Sequence, residues 1–139
     1  MQTNSLRYWT GNRAPEVAPR YIPDRSDIVF LDFEPPKGRE IGEYRPALVL
    51  SSKEYNRNTG LLICCPISTS IRGAPTEVPI DHLDQPSVVA ANLVHTLDWK
   101  ARKIERVARG SEQLLEEVLM RLLPLIGAGR FLDHSFRAS

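Results

Sequence analysis

Several groups of residues in this 139-residue chain carry side chains that could do chemistry. From Trp99 to Arg109 run Lys100, Arg102, Lys103, Arg106 and Arg109 against one acid, Glu105. Five cations in eleven residues could track phosphates, with Trp99 as a surface on which a base stacks. The same stretch could also be a buried tryptophan beside a solvated strand face; we read a mixed case, with Trp99 buried and Lys100 and Arg102 lining a groove. The segment Ile67–Gly73 carries three consecutive hydroxyls, Ser68, Thr69 and Ser70, followed by Arg72. Residues Glu34 to Tyr44 hold two prolines, two glycines and five charges. Such a stretch cannot bury a core, and a loop of that length is usually functional or disordered. His82, His95 and His134 invite a paired acid–base reading, but no spacing pairs them, and they read as exposed side chains. Cys64 and Cys65 are adjacent. Neighbours on a strand point to opposite faces, so they cannot bridge each other. With no Cys-x-x-Cys spacing there is no zinc site, and two reduced thiols suit a cytoplasmic protein.

These residues need elements to position them. The length fits one domain with tails. Eleven prolines and eight glycines are too many for a helical bundle and suit short strands joined by turns. A net charge of +1 excludes a histone-like basic coat, although a local basic patch can sit inside a neutral total. No apolar run is long enough to span a membrane, and the first residues have no apolar stretch of the secretory kind. Residues 1–20, with Arg7, Tyr8, Trp9, Arg13 and Arg20, read as an extension. Strands are expected at 27–33, 45–51 and 61–66, the last apolar enough to be buried on both faces. Residues 53–60 read as a turn, and 76–80 and 87–93 as further strands. Ser111 is a helix N-cap with Glu112 in the first turn, and Leu114, Leu115, Val118, Leu119, Leu122 and Leu123 repeat at helical spacing. Pro124 ends or kinks that helix, and residues 127–139 form a tail. The expected fold class is mainly β with a C-terminal helix, a small bent antiparallel sheet or barrel.

The run 20–33 resembles the start of the MazF/PemK (Kid) family of toxin endoribonucleases. The likeness continues in order through Lys37-Gly38, Glu40, Gly42, Arg45-Pro-Ala-Leu-Val-Leu-Ser51, Tyr55-Asn56, Thr59-Gly60 and Cys65-Pro66. Arg72-Gly73, Pro75, Glu77-Val78, Leu97-Asp-Trp-Lys-Ala-Arg-Lys103 and the terminal helix complete it. It spans about residues 20–126, which divides the chain into an extension at 1–20, a toxin-like domain at 21–126 and the tail. The resemblance implies a small SH3-like barrel, a homodimer, and cleavage of single-stranded mRNA at short sequences without metal or other cofactor. It also implies a cognate antitoxin of the MazE/PemI kind.

By the same resemblance the catalytic pair falls on Arg45 and Ser68, where the family has Arg and Thr. Serine keeps the hydroxyl but lacks the methyl that stiffens χ1. RNA contacts would fall on Phe33, Lys37, Asn56, Thr69 and Ser70, and on Arg72, Asn92, Lys100 and Arg102. Without a metal, the 2′-OH must lose a proton, the phosphorane must be stabilised, and the 5′ oxygen must be protonated. Arg45 suits the charge and the proton-donor side, because a guanidinium stays charged and forks onto phosphate oxygens. Ser68 can donate to a non-bridging oxygen, and Glu40 is the carboxylate candidate for the base. The chain departs from the family at Ile41, at Asn92-Leu93 and at His95. Ser68, Ile41, Asn92 and Leu93 favour one alternative, a member that binds RNA or antitoxin without cutting. A second alternative is a CcdB-like gyrase poison on a related fold, against which stand the retained Arg45 and Pro66-Ile-Ser68.

Overall fold

The computed structural model describes residues 20–33, 44–81 and 83–131. In chain order these form β1 (Asp27–Asp32), β2 (Tyr44–Val49), α1 (Lys53–Thr59), β3 (Leu61–Ser68), β4 (Glu77–Ile80) and β5 (Ser87–Ala90). Then come β6 (His95–Asp98), a 3-10 turn at Trp99–Ala101, β7 (Glu105–Arg109) and α2 (Glu112–Leu125). The strands lie in the order β4-β5-β3-β2-β1-β7, with β6 also paired to β3.

β3 is common to both halves of this sheet. One edge pairs with β2, Leu48 standing opposite Cys65. The other edge pairs first with β6, from Leu61 opposite Asp98 to Cys64 opposite His95. It then passes to β5, with Ile67 opposite Val89 and Ser68 opposite Val88. Pro66, which has no N–H to donate, stands between these two partners. Handing one edge from β6 to β5 curls the antiparallel sheet into a half-barrel, the mainly β architecture expected from the sequence.

Side chains alternate across the sheet into two cores. On one face Ile28, Leu48, Cys65, Ile67 and Val89 pack under Leu114, Leu115 and Val118 of α2. On the other, Val29, Leu31, Ala47, Val49, Leu62 and Cys64 pack with Leu97 and Trp99. Cys64 and Cys65 thus lie in different cores as free thiols, and β3 is covered on both faces. Trp99 is buried, its indole N–H donating to the Asn56 carbonyl at 3.0 Å.

Residues 53–60 are a helix rather than a turn. Ser52 caps α1 by accepting the Tyr55 N–H, and Gly60 closes it in the left-handed conformation, φ 73°. α1 lacks the apolar period that marks a helix because the residue it buries is Asn56. The strand expected over 87–93 stops at Ala90. β6 was not expected, and β7 falls where the sequence offered only a solvated strand face as one alternative, because nearly all the side chains of both are exposed. α2 begins at the expected cap, Ser111 Oγ accepting the Leu114 N–H at 3.0 Å, and ends one residue beyond Pro124.

Part of the basic block serves this framework. Asp27, buried, accepts from the Tyr21 hydroxyl and the Asp24 N–H. It also meets Arg106 at 3.6 Å and Arg109 at 3.3 Å. Burial, reinforced by the Asp27 carboxylate, pushes the Tyr21 phenol well above its ordinary value.

Candidate active site

A cavity of about 380 Å³ opens where β3 ends and the chain leaves the sheet. Arg45 from β2, Ser68 from β3, Ser70 and Arg72 from the following loop, and Asn92 after β5 all line it. Pro66, Ala74, Val88 and Ala90 give it an apolar floor, and Thr76, Glu77 and Leu93 complete the wall. Five residues expected at the site from the sequence therefore meet in one groove.

Each is held by its element. Arg45 alternates with Ala47 and Val49, so its side chain emerges on the Trp99 face of the sheet. Its guanidinium lies over the ring of Phe33, 5.8 Å from the centroid. Phe33 is buried, and His95 meets the same ring edge-on at 5.1 Å. Phe33 is thus a shelf beneath Arg45 rather than an exposed stacking surface. Ser68 ends β3, where its Oγ accepts the Ser70 N–H at 2.9 Å. That bond orients the hydroxyl without the missing methyl and leaves its proton free to donate.

The loop wall is held from behind. The Glu77 carboxylate accepts the Arg72 N–H at 3.1 Å and the Gly73 N–H at 2.9 Å. Gly73 has φ 74°, a conformation that favours glycine. Among the described lining residues the guanidiniums of Arg45 and Arg72 outnumber the single carboxylate of Glu77, which is turned to backbone amides, and that balance suits an anion.

The other expected residues lie elsewhere. Asn56 is fully buried: its Nδ2 donates to the carbonyls of Pro23 and Ser51, and its Oδ1 accepts from the Ser51 hydroxyl. A side chain with no exposed surface cannot touch RNA, and its polarity serves the core instead. Arg102 donates to the carbonyls of Asp32 and Phe33 at 2.9 and 2.7 Å, fastening the end of β1. Lys100 is exposed and lies over Trp99 at 5.8 Å. Thr69 is exposed and does not line the groove. Lys37, Glu40, His82 and His134 lie outside the described residues.

Thr76, Glu77 and Leu93 belong to the groove but were not among the expected site residues. The signal for Glu77 was a carboxylate four residues after a loop glycine, a pattern too common to single out. Burial pushes the thiols of Cys64 and Cys65 up to about 12, so neither is a nucleophile at neutral pH. Among the described residues no group of three His, Cys, Asp or Glu side chains could hold a metal ion. Among the same residues no helix is long and apolar enough to cross a membrane.

Residues 24–126 match the family described as PemK-like, MazF-like toxin of type II toxin–antitoxin system. The chain is 35% identical over 108 residues to the endoribonuclease toxin MazF of Escherichia coli K12, covering 78% of this chain and 97% of that protein. It is also 35% identical to the E. coli K12 endoribonuclease toxin ChpB, covering 74% of this chain and 93% of the relative. In structure it is similar to the toxin of a MazE–MazF crystal structure from Deinococcus radiodurans, with TM-score 0.73 and 41% identity. That match covers 78% of this chain and 98% of the other. The curled sheet, the helix laid across one face and the sequence over 24–126 agree: the chain belongs to the PemK/MazF family of toxins of type II toxin–antitoxin systems.

Proposed function

We propose that this protein is an endoribonuclease toxin that cuts single-stranded mRNA at defined short sequences. The cut needs no metal ion and leaves 2′,3′-cyclic phosphate and 5′-OH ends. The observation that carries this reading is the meeting of Arg45, Ser68 and Arg72 in one groove. A scissile phosphate placed there has a permanent cation, an oriented hydroxyl and a second cation around it.

The 2′ oxygen attacks phosphorus while its proton passes to a base, for which Glu40 is the candidate. Negative charge then builds on the non-bridging oxygens. Arg45 stabilises that charge through forked N–H donors, and Ser68 donates its hydroxyl proton in a hydrogen bond. The P–O5′ bond breaks, and Arg45 can supply the proton that the departing 5′ oxygen takes up. Asn92 and Leu93 line the groove, and in this reading they meet the neighbouring bases. Single-stranded RNA suits such a groove, because its unstacked bases can be splayed into the wall.

Relatives were solved bound to MazE, and by the same reading an acidic, apolar antitoxin segment fills this groove and excludes RNA. The toxin acts in the cytoplasm as a homodimer. β4 and β7 lie at the ends of the strand order, and paired copies can cover such edges.

The test is cleavage of a long mixed-sequence RNA in EDTA, with both ends of each cut mapped. Defined cuts with 5′-OH ends, lost in Arg45→Ala, support the proposal. No cutting by a folded wild-type protein overturns it. The replacement reading is then a member that binds RNA or antitoxin without cleavage, which the amide and leucine at Asn92-Leu93 in the groove favour.

A further inference from the structure

Resting on the endoribonuclease reading, we infer that Glu77 is a positioning residue for RNA binding, acting through the loop that carries Arg72. Three facts meet here. Glu77 lines the groove together with Arg72 and Ser70. Its carboxylate is spent on the loop's backbone rather than on a side chain: Oε1 accepts from Arg72 N at 3.1 Å and from Gly73 N at 2.9 Å, and Oε2 accepts from Arg72 N at 3.3 Å. Gly73, whose N–H makes the shortest of those bonds, has φ 74°, a left-handed conformation that favours glycine.

Successive N–H groups beside a positive φ make a small cradle for an anion. In this protein the cradle holds a carboxylate of the chain itself. Glu77 opens β4 and is fixed by the pairing of β4 with β5, Glu77 standing opposite Ala90. The latch therefore ties the six-residue loop Ser70 to Pro75 to β4, at the edge of the sheet beside the groove. Arg72 is exposed and its side chain has no ion pair among the described residues. The loop's ends are held by Ser70 N–H to Ser68 Oγ, Glu77 N–H to the Ala74 carbonyl and Arg121 Nε to the Pro75 carbonyl. At Arg72 and Gly73 themselves the bonds among the described residues are those to the Glu77 carboxylate.

A pre-placed cation costs less entropy on binding than one that must be captured from a loose loop. Releasing the latch therefore weakens RNA capture while leaving Arg45 and Ser68, on β2 and at the end of β3, to do the chemistry. The effect falls on KM rather than on kcat.

The experiment measures KM and kcat for RNA cleavage by wild type, Glu77→Ala, Arg72→Ala and the double variant. Melting curves confirm that each is folded. The expected result is a KM about fivefold to tenfold higher for Glu77→Ala with kcat within about twofold. The double variant should be no worse than Arg72→Ala, because two residues acting as one unit are non-additive. Glu77→Gln keeps an acceptor oxygen and should recover most of the loss. It also keeps the test open if Glu77→Ala does not fold: a neutral acceptor then raises KM about twofold to threefold and leaves kcat alone.

An unchanged KM in Glu77→Ala, a fall in kcat alone, or losses that add in the double variant would each overturn the inference. If Glu77→Ala is unfolded, an unchanged KM in Glu77→Gln overturns it. Wild-type protein that does not cut RNA removes the endoribonuclease reading instead, so the two failures are distinct.

Discussion

In the proposed reaction Ser68 donates to the phosphate, so removing its hydroxyl would take away that donor as well as the acceptor for the Ser70 N–H. Ser68→Ala should lower single-turnover cleavage about tenfold to a hundredfold. Ser68→Thr should keep most of the rate, because the hydroxyl remains and the added methyl stiffens χ1. A Ser68→Ala protein cutting at the wild-type rate would remove Ser68 from the chemistry. Asn56 makes the opposite kind of prediction. Its amide satisfies two carbonyls and a buried hydroxyl, so Asn56→Ala strands several polar groups and should cost about 2–4 kcal/mol in urea unfolding. An RNA contact at Asn56 would instead show as a raised KM with unchanged stability.

The helices and strands carry predictions of their own. Gly110 joins β7 to α2, and a Cβ there would meet the Ser26 carbonyl oxygen at 2.9 Å and Leu114 Cδ2 at 3.2 Å. The Gly110 N–H already donates to that carbonyl at 2.7 Å, so the backbone cannot retreat without breaking the bond. Gly110→Ala should destabilise the fold by more than the roughly 1 kcal/mol expected for Ser111→Ala at the neighbouring cap, and so lower the melting temperature further than Ser111→Ala does. Equal effects would mean that the close approach relaxes freely. The elements also show what the sequence could and could not carry. β1, β2, β3 and α2 were legible because their apolar residues are numerous and periodic. β6 buries Leu97 alone and β7 has no fully buried residue, so their sequences read as solvated chain. At the site, the groove gathers Arg45, Ser68, Ser70, Arg72 and Asn92, whose shared place came from order and spacing along a family pattern. Asn56 came from the same pattern and Arg102 from the basic block, but one polar side chain faces the core and the other caps backbone carbonyls. Residue type alone does not tell a base contact from a carbonyl contact.

At the scale of the whole molecule, the proposed function makes RNA affinity local and salt-sensitive, because the chain has net charge +1 and two guanidiniums line the groove. KM should rise steeply between low and physiological salt, and a flat salt profile would exclude phosphate contacts as the main source of binding. The buried thiols set a pH limit. Each has an ordinary value of 9.0 and is pushed up to about 12, so the stability they contribute is whole below pH 9.0 and is lost as pH climbs toward 12. Tyr21, also raised, adds a loss of the same sign above its ordinary value of 10.0. Urea midpoints measured up the alkaline range should fall, and fall less in a protein with both cysteines changed to alanine. Those cysteines have one more consequence. They are neighbours in sequence but stand behind different walls, one under α2 and one on the Trp99 side. Single-cysteine proteins would therefore time the breathing of each wall with an alkylating reagent. One shared labelling rate would mean that the sheet opens as a unit. Faster labelling of Cys65 would mean that the helix lifts first. One dipeptide is thus a two-channel clock for the unfolding of the molecule that contains it.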